Sequence, residues 1–286
     1  MGKKIRSIIT VIVIGIVSAV LGYNIVKADL LMDQVPENYQ ITPLFIFLIF
    51  AGIYIVLLVH ELGHLLTGLA LGFEFNKLTV GFLGLRKTDD GKTEWHFNKE
   101  MQYFGGIAIT VPRKDETKAA EKFAKIIIAG PLSSAGLALL LALASLILPV
   151  PFGFLAILIA FFSMSIFFAT TIPGKNGAFY SDRKRYQRLK SQGKSRQIEL
   201  ALMDIMVYKA AHPEKPYPDE ARILLLTEDE AAILKSTGFY YLYEFHLQNE
   251  NKRSEILKKM KALEDDLPKA VVMQLKAEIE KLNKRL

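Results

Sequence analysis

Residues 43–72 form an unbroken run with no Lys, Arg or Asp, and its one Glu is Glu61. A helix crossing the roughly 30 Å hydrocarbon core of a bilayer needs about 20 apolar residues. This run is long enough, and so are three others: Ile5–Val26, Phe123–Leu148 and Phe152–Ile172. The chain is 51% hydrophobic and 23% charged, which on average is close to a soluble protein. What decides the class is distribution, because the apolar residues are gathered into these runs and the charges lie between them. A single soluble globule and a disordered chain are both excluded.

Lys and Arg concentrate on the cytoplasmic side of membrane proteins, and here they give one consistent orientation. Lys3, Lys4 and Arg6 cluster at the N-terminal edge of the first run. Residues 28–42 have neither Lys nor Arg but carry Asp29, Asp33 and Glu37, so they read as external. Residues 73–122 hold Lys77, Arg86, Lys87, Lys92, Lys99, Arg113, Lys114 and Lys118, and read as cytoplasmic. Pro149 and Pro151 make a short external turn, and Lys175, Arg183, Lys184, Arg185, Arg188 and Lys190 follow the fourth run. The expectation is four crossings with both termini in the cytoplasm. The first run continues past the 7–15 apolar residues of a signal peptide, and no small-x-small cleavage site follows it, so it reads as an uncleaved helix. The formal net charge of +7 is then assigned to cytoplasmic loops and not to nucleic-acid binding.

Two regions lie outside the runs. In the loop between the second and third, Leu78, Val80 and Phe82 alternate with polar residues, as do Trp95 and Phe97, with Asp90-Gly91 between them as a hairpin signal. A further strand is expected from Gly106 to Val111, ending at Pro112. From Arg183 onward the apolar and charged spacing predicts helices: Gln197–Ala211, Asp219–Leu226, Glu228–Asn249, Lys252–Asp266 and Pro268–Leu286. Their likeness to tetratricopeptide repeats is weak. The expected organisation is a membrane-embedded core over residues 1–182, with a β-hairpin at about 77–111, and a cytoplasmic α-helical domain over 183–286.

The chain has no Cys and five His: His60, His64, His96, His212 and His246. Disulfides, thiolate zinc sites, iron–sulfur clusters and thiol nucleophiles are therefore excluded, and a metal site must use His, Asp or Glu. His60-Glu61-Leu62-Gly63-His64 is an HExxH motif. Residues four apart lie on one helix face, so His60 and His64 can share one zinc ion while Glu61 acts on a water beside it. The bland alternative is two buried histidines and a carboxylate with no metal. The location argues against it, because the motif interrupts an apolar run. A charge at the centre of a membrane helix costs about 2.5–3.5 kcal/mol on insertion scales, and no Lys or Arg in the span offsets Glu61. A metal ion is the simplest compensating partner.

At 1.5 Å per residue, Pro43 to His60 covers roughly 25 Å, which puts the motif in the cytoplasmic half of the span. A third ligand should come from that side. The fourth run ends in Pro173-Gly174-Lys175-Asn176-Gly177, where Pro and two Gly break the helix, and Asp182 follows at an expected helix start. Asp182 is either a ligand or only a capping or first-turn acid. His96 is a rival ligand, although on a charged hairpin it reads as solvent-facing.

These elements together resemble the site-2 protease family of intramembrane zinc metalloproteases. The likeness spans about Pro43–Tyr186. It rests on the HExxH at 60–64, Gly130-Pro131 in the following span, the later Pro173…Asp182 segment, and a Gly105-Gly106 strand similar to the family's membrane-associated hairpin. The resemblance implies zinc bound by His60, His64 and Asp182, with Glu61 as the catalytic acid/base in peptide hydrolysis. It implies transmembrane proteins or peptides as substrates, and the plasma membrane of a prokaryote as the expected location. The chain departs from the family pattern at Thr170 and Ser134, where Asn is often found, and at Arg183, where Gly often follows the Asp.

Further expectations are coarser. A transmembrane helix must unwind before cleavage, and the Gly106–Val111 strand, starting at Gly106 and Ile107, is a candidate to hold it by strand addition; alternatively the hairpin only plugs the site. Thr170 and Asn176 are candidates for substrate contact, and Lys175 or Asn176 for oxyanion stabilisation. The basic cluster from Arg183 to Arg196 is either a site for anionic lipid headgroups or ordinary positive-inside bias. The C-terminal helices are a candidate surface for a cytoplasmic protein partner. An inactive relative that binds membrane helices as a scaffold is the alternative function. A transporter is disfavoured, since the four runs show no inverted repeat.

Overall fold

The computed structural model describes residues 43–88, 90–99, 104–113, 118–149, 152–172, 175–176, 179–212 and 214–286. The first expected span, the external segment after it, and Pro173, Gly174 and Gly177 lie outside the described residues.

Three long helices match the second, third and fourth apolar runs: α1 (Pro43–Ala70), α2 (Ala119–Ile147) and α3 (Phe152–Thr171). By length and composition all three can cross a membrane. Phe47, Phe50, Leu140 and Ile147 on their outer faces are more than half exposed. Water penalises an apolar surface of this kind and a bilayer does not.

The described chain divides into two compact units. The first comprises the described residues up to Gly63 together with Gly130–Ala169; the second comprises His64–Ala129 and Thr170–Leu286. In the first unit Val56, Ala138, Ala156, Ile157 and Ala160 are buried. Small residues set the packing distance there: a Cβ built on Gly52 would lie 2.4 Å from the end of the Ile159 side chain.

The second unit begins with the last turns of α1. Gly72, at φ +87°, ends that helix. The Phe73 N–H then donates to the Gly68 carbonyl and the Gly72 N–H to the Leu69 carbonyl, the pattern of a glycine C-cap. A four-stranded antiparallel sheet follows, β1 (Glu74–Val80), β2 (Leu83–Lys87), β3 (Thr93–Phe97) and β4 (Ile107–Val111), in the order β3-β2-β1-β4. The expected Asp90-Gly91 hairpin joins β2 to β3, with Leu85 opposite Trp95. The alternation through Leu78, Val80 and Phe82 predicted one strand, but the chain reverses at Gly81-Phe82, where Val80 pairs with Leu83. Gly81 takes φ +55°, and glycine in the first of two loop positions suits a tight type II′ turn. The hairpin is thus part of a larger sheet, with β4 pairing along the far side of β1.

After α3, a two-residue ladder pairs β5 (Lys175–Asn176) with β6 (Phe179–Tyr180). The helices that follow are α4 (Asp182–Lys190), α5 (Lys194–Ala211), α6 (Glu220–Thr227), α7 (Ala232–Phe245), α8 (Glu250–Lys261) and α9 (Lys269–Asn283). From α5 on they follow the predicted helices, except that the expected Glu228–Asn249 element is shortened to Ala232–Phe245 and the expected Lys252–Asp266 element ends at Lys261, with a separate 3-10 turn at Glu264–Asp266. Ile205, Ile223, Leu226, Tyr243, Ile256, Met260 and Leu282 form their core.

Candidate metal centre

His60, His64 and Gly68 lie one turn apart along one face of α1, as the 3.6-residue period requires. His60 and Glu61 are buried, at 6% and 8% exposure. Each histidine is oriented through Nδ1. His60 Nδ1 hydrogen-bonds Ser134 Oγ on α2 at 2.9 Å. Ser134 is itself fully buried, and its carbonyl accepts from Ser163 Oγ of α3 at 2.8 Å. His64 Nδ1–H donates to the Ile126 carbonyl of α2 at 2.8 Å. Nearby, Pro131 lies inside α2. A proline has no N–H to give the carbonyl four residues earlier, so the regular helix ladder is interrupted in this stretch.

Asp182 is the first residue of α4. The cap of that helix is Ser181, whose Oγ accepts from the Lys184 N–H at 3.4 Å and donates to the Ile172 carbonyl at 2.9 Å. The capping role that sequence left open for Asp182 therefore belongs to its neighbour. Asp182 Oδ2 lies 3.7 Å from His64 Nε2. One ligand atom from each of His60, His64 and Asp182 falls within 4.8 Å of the others, a group able to hold a metal ion.

The donor set fits zinc. Two imidazole nitrogens and a carboxylate oxygen are ligands of catalytic zinc sites, and two ligands about 2.1 Å from a tetrahedral ion stand roughly 3.4 Å apart. The 3.7 Å between His64 and Asp182 is close to that span. Partners such as these Nδ1 contacts fix ligand orientation in metal sites generally.

The other sequence candidates lie outside this group. His96 was expected to face solvent. It packs half-buried across the sheet instead, with Nε2 3.4 Å from Thr79 Oγ1. A Cβ on Gly84 opposite would lie 2.3 Å from its ring. Gly106 immediately precedes β4 and Ile107 opens it, Thr170 lies near the end of α3, and Asn176 is in β5. β4 comes close to α1: a Cβ on Gly68, one turn beyond His64, would lie 2.5 Å from Thr110 Oγ1. Sequence reasoning noted Ser134 only as a departure from a family pattern and missed that it orients His60. The Ile126 carbonyl carried no sequence signal at all.

Neither a curated protein nor a solved structure shows significant similarity to the chain. The family model described as peptidase family M50 matches residues 48–283, which takes in the HExxH helix, the sheet, Asp182 and nearly all of the C-terminal helices. Members of that family are zinc-dependent metalloproteases of the membrane. With three membrane-capable helices and a His-His-Asp group, the chain is an integral membrane protein that belongs to peptidase family M50, the site-2 protease family.

Proposed function

We propose that this chain is an active intramembrane zinc endopeptidase that cleaves peptide bonds in or near transmembrane segments of other membrane proteins. The observation that carries this reading is the grouping of His60, His64 and Asp182, with Glu61 beside them on a buried stretch of a long apolar helix. Zinc held by those three side chains would supply Lewis-acid polarisation of the scissile carbonyl and lower the pKa of a water to about 7. Glu61 then takes the proton from the attacking water and returns it to the leaving amine. The apolar surroundings keep bulk water away, which strengthens the charge interactions within the site.

The substrate helix must unwind locally to expose a carbonyl. β4 is an edge strand of the sheet and packs against Gly68, one turn past His64. This supports strand addition along β4, from Gly106 and Ile107, as the mode of substrate capture. Thr170 and Asn176 remain candidates for substrate contact. Arg183, one of the departures from the family pattern, has its guanidinium over the Tyr186 ring at 5.5 Å.

The test is zinc analysis of purified protein together with cleavage of a panel of membrane-anchored peptides. Stoichiometric zinc with cleavage supports the proposal; partner capture without turnover overturns it. The proposed topology has four crossings and a cytoplasmic sheet and tail, in the plasma membrane of a prokaryote. The chain has no native Cys, so single cysteines at Asp90 and Lys252 should stay unlabelled by an impermeant thiol reagent in intact cells, and one at Asn38 should label. Labelling at Asp90 from outside would overturn the topology.

A further inference from the structure

Asp182 begins a helix that is held by a buried charge network reaching into the C-terminal helices. Arg188 of α4 is 7% exposed. Its Nε donates to Glu199 Oε1 of α5 at 2.8 Å, and its Nη2 donates to Asp229 Oδ2 in the α6–α7 connection. Arg185, one turn earlier, donates to the other oxygen of Glu199 at 3.2 Å. Glu199 and Asp229 are almost wholly buried. Asp229 also reaches to the other side of Asp182: its Oδ1 accepts from the Tyr180 hydroxyl at 2.8 Å and from the Ala231 N–H at 2.7 Å. The Arg188 guanidinium lies over the Tyr180 ring, 4.4 Å from its centroid.

The chain is therefore gripped at Tyr180, two residues before Asp182, and at Arg188, six residues after it, by one carboxylate. Burial and the bond to Asp229 push the Tyr180 hydroxyl well above the ordinary tyrosine range. Burial works to lower the Arg188 pKa, but Glu199 and Asp229 outweigh it and raise it. Both groups therefore remain donors at neutral pH. Replacing such a buried cluster with apolar residues often costs little stability, whereas removing one partner leaves an uncompensated charge. What the cluster demands is a single geometry. A second anchor acts alongside it: Leu189 of α4 packs with Ala124 and Ile127 of α2, the two sides of the Ile126 carbonyl that orients His64.

We propose that Asp229, acting with Glu199 through Arg188 and Tyr180, is a positioning residue for the metal centre, so that the C-terminal helical domain sets how Asp182 is offered to the ion. This rests on Asp182 being a zinc ligand. It makes the tail part of the metal site and not only an appended domain.

The test uses the full-length protein in detergent and two readouts besides activity. These are Zn²⁺ affinity by competition with a chelator, and the visible absorption of the Co²⁺-loaded protein as a report on ligand geometry. Asp229→Ala should weaken Zn²⁺ binding about 10–100-fold, the usual effect of losing a partner that orients a ligand, and should shift the cobalt spectrum. Tyr180→Phe keeps the ring under Arg188 and should weaken binding only a few-fold. Met260→Ala, which disturbs the tail core away from the network, should lower the unfolding temperature and leave Zn²⁺ affinity unchanged. Wild-type affinity and spectrum in both network variants, with affinity lost in Asp182→Ala, would overturn the coupling and leave the ligand standing. Equal loss in Met260→Ala would also overturn it, since general tail stability would then suffice. Wild-type affinity in Asp182→Ala would overturn the ligand assignment itself and this inference with it.

Discussion

Helices α1 and α4 both bring side chains to the candidate metal centre, by different physics. α1 is 28 residues long and apolar almost throughout, and it supplies two candidate ligands simply because His60 and His64 are four apart. α4 has nine residues, is strongly polar, and is too short to be stable alone. It supplies one candidate ligand, Asp182, and contacts beyond its own turns hold it in place: the Ser181 cap, the Leu189 packing, and the ion pairs to Glu199 and Asp229. A long helix carries its site geometry within its own period, whereas a short one borrows its geometry from the rest of the fold.

That contrast can be broken or sharpened experimentally. The largest effect is expected on α1 itself. Glu61→Gln should reduce cleavage by at least about 100-fold, since general acid–base groups contribute roughly 10²–10⁴, and zinc content should stay near wild type because Glu61 is outside the ligand group. Near-normal turnover by purified Glu61→Gln protein would sink the mechanism.

Removing the α4 ligand comes next. Asp182→Ala should lose stoichiometric zinc and activity together, while His96→Ala keeps both. Metal analysis of the two proteins side by side decides this. If His96→Ala loses the ion and Asp182→Ala retains it, the sheet supplies the third ligand and the contrast between α1 and α4 disappears.

A smaller effect is expected at Ser134, which orients His60 from α2. Ser134→Ala should weaken Zn²⁺ affinity about 10-fold, the low end for loss of such a partner, because His60 is also held by its own helix. A chelator-competition titration measures it. An unchanged affinity would mean that α1 needs no help at all, which would sharpen the contrast further.

The smallest effect belongs to the outer surface of the tail. Lys276 and Glu264 pair at 2.9 Å on an exposed face, and exposed pairs are worth about 0–1 kcal/mol. Lys276→Ala should shift thermal unfolding only slightly and leave zinc affinity and cleavage alone. A measurable loss of zinc affinity there would mean that any tail perturbation reaches the metal centre, not only those in the buried network.

Much of this molecule could be read from short stretches of chain. The three described long helices follow from apolar length, since crossing hydrocarbon demands a run that nothing else in a sequence imitates. The pairing of His60 with His64 follows from helical period, and the β2–β3 hairpin from Asp90-Gly91. The turn at Gly81 was missed because period-two alternation continues through Phe82, and alternation cannot register a reversal that needs only one glycine at positive φ. His96 was misread because the charges around it say nothing of what lies across the sheet.

The parts that tertiary structure alone decided share one feature: the partners are far apart along the chain. Ser134 is 74 residues from His60, Ile126 is 62 from His64, and Asp229 is 41 from Arg188. Local periodicity carries information over a few turns and no further, so it specified two candidate ligands on α1 and left Asp182 as either a ligand or only a capping or first-turn acid. The fold gives the cap to Ser181, keeps Asp182 in the first turn of α4 and brings its carboxylate to 3.7 Å from His64, because the packing that orients a short polar helix exists only once the distant elements have come together.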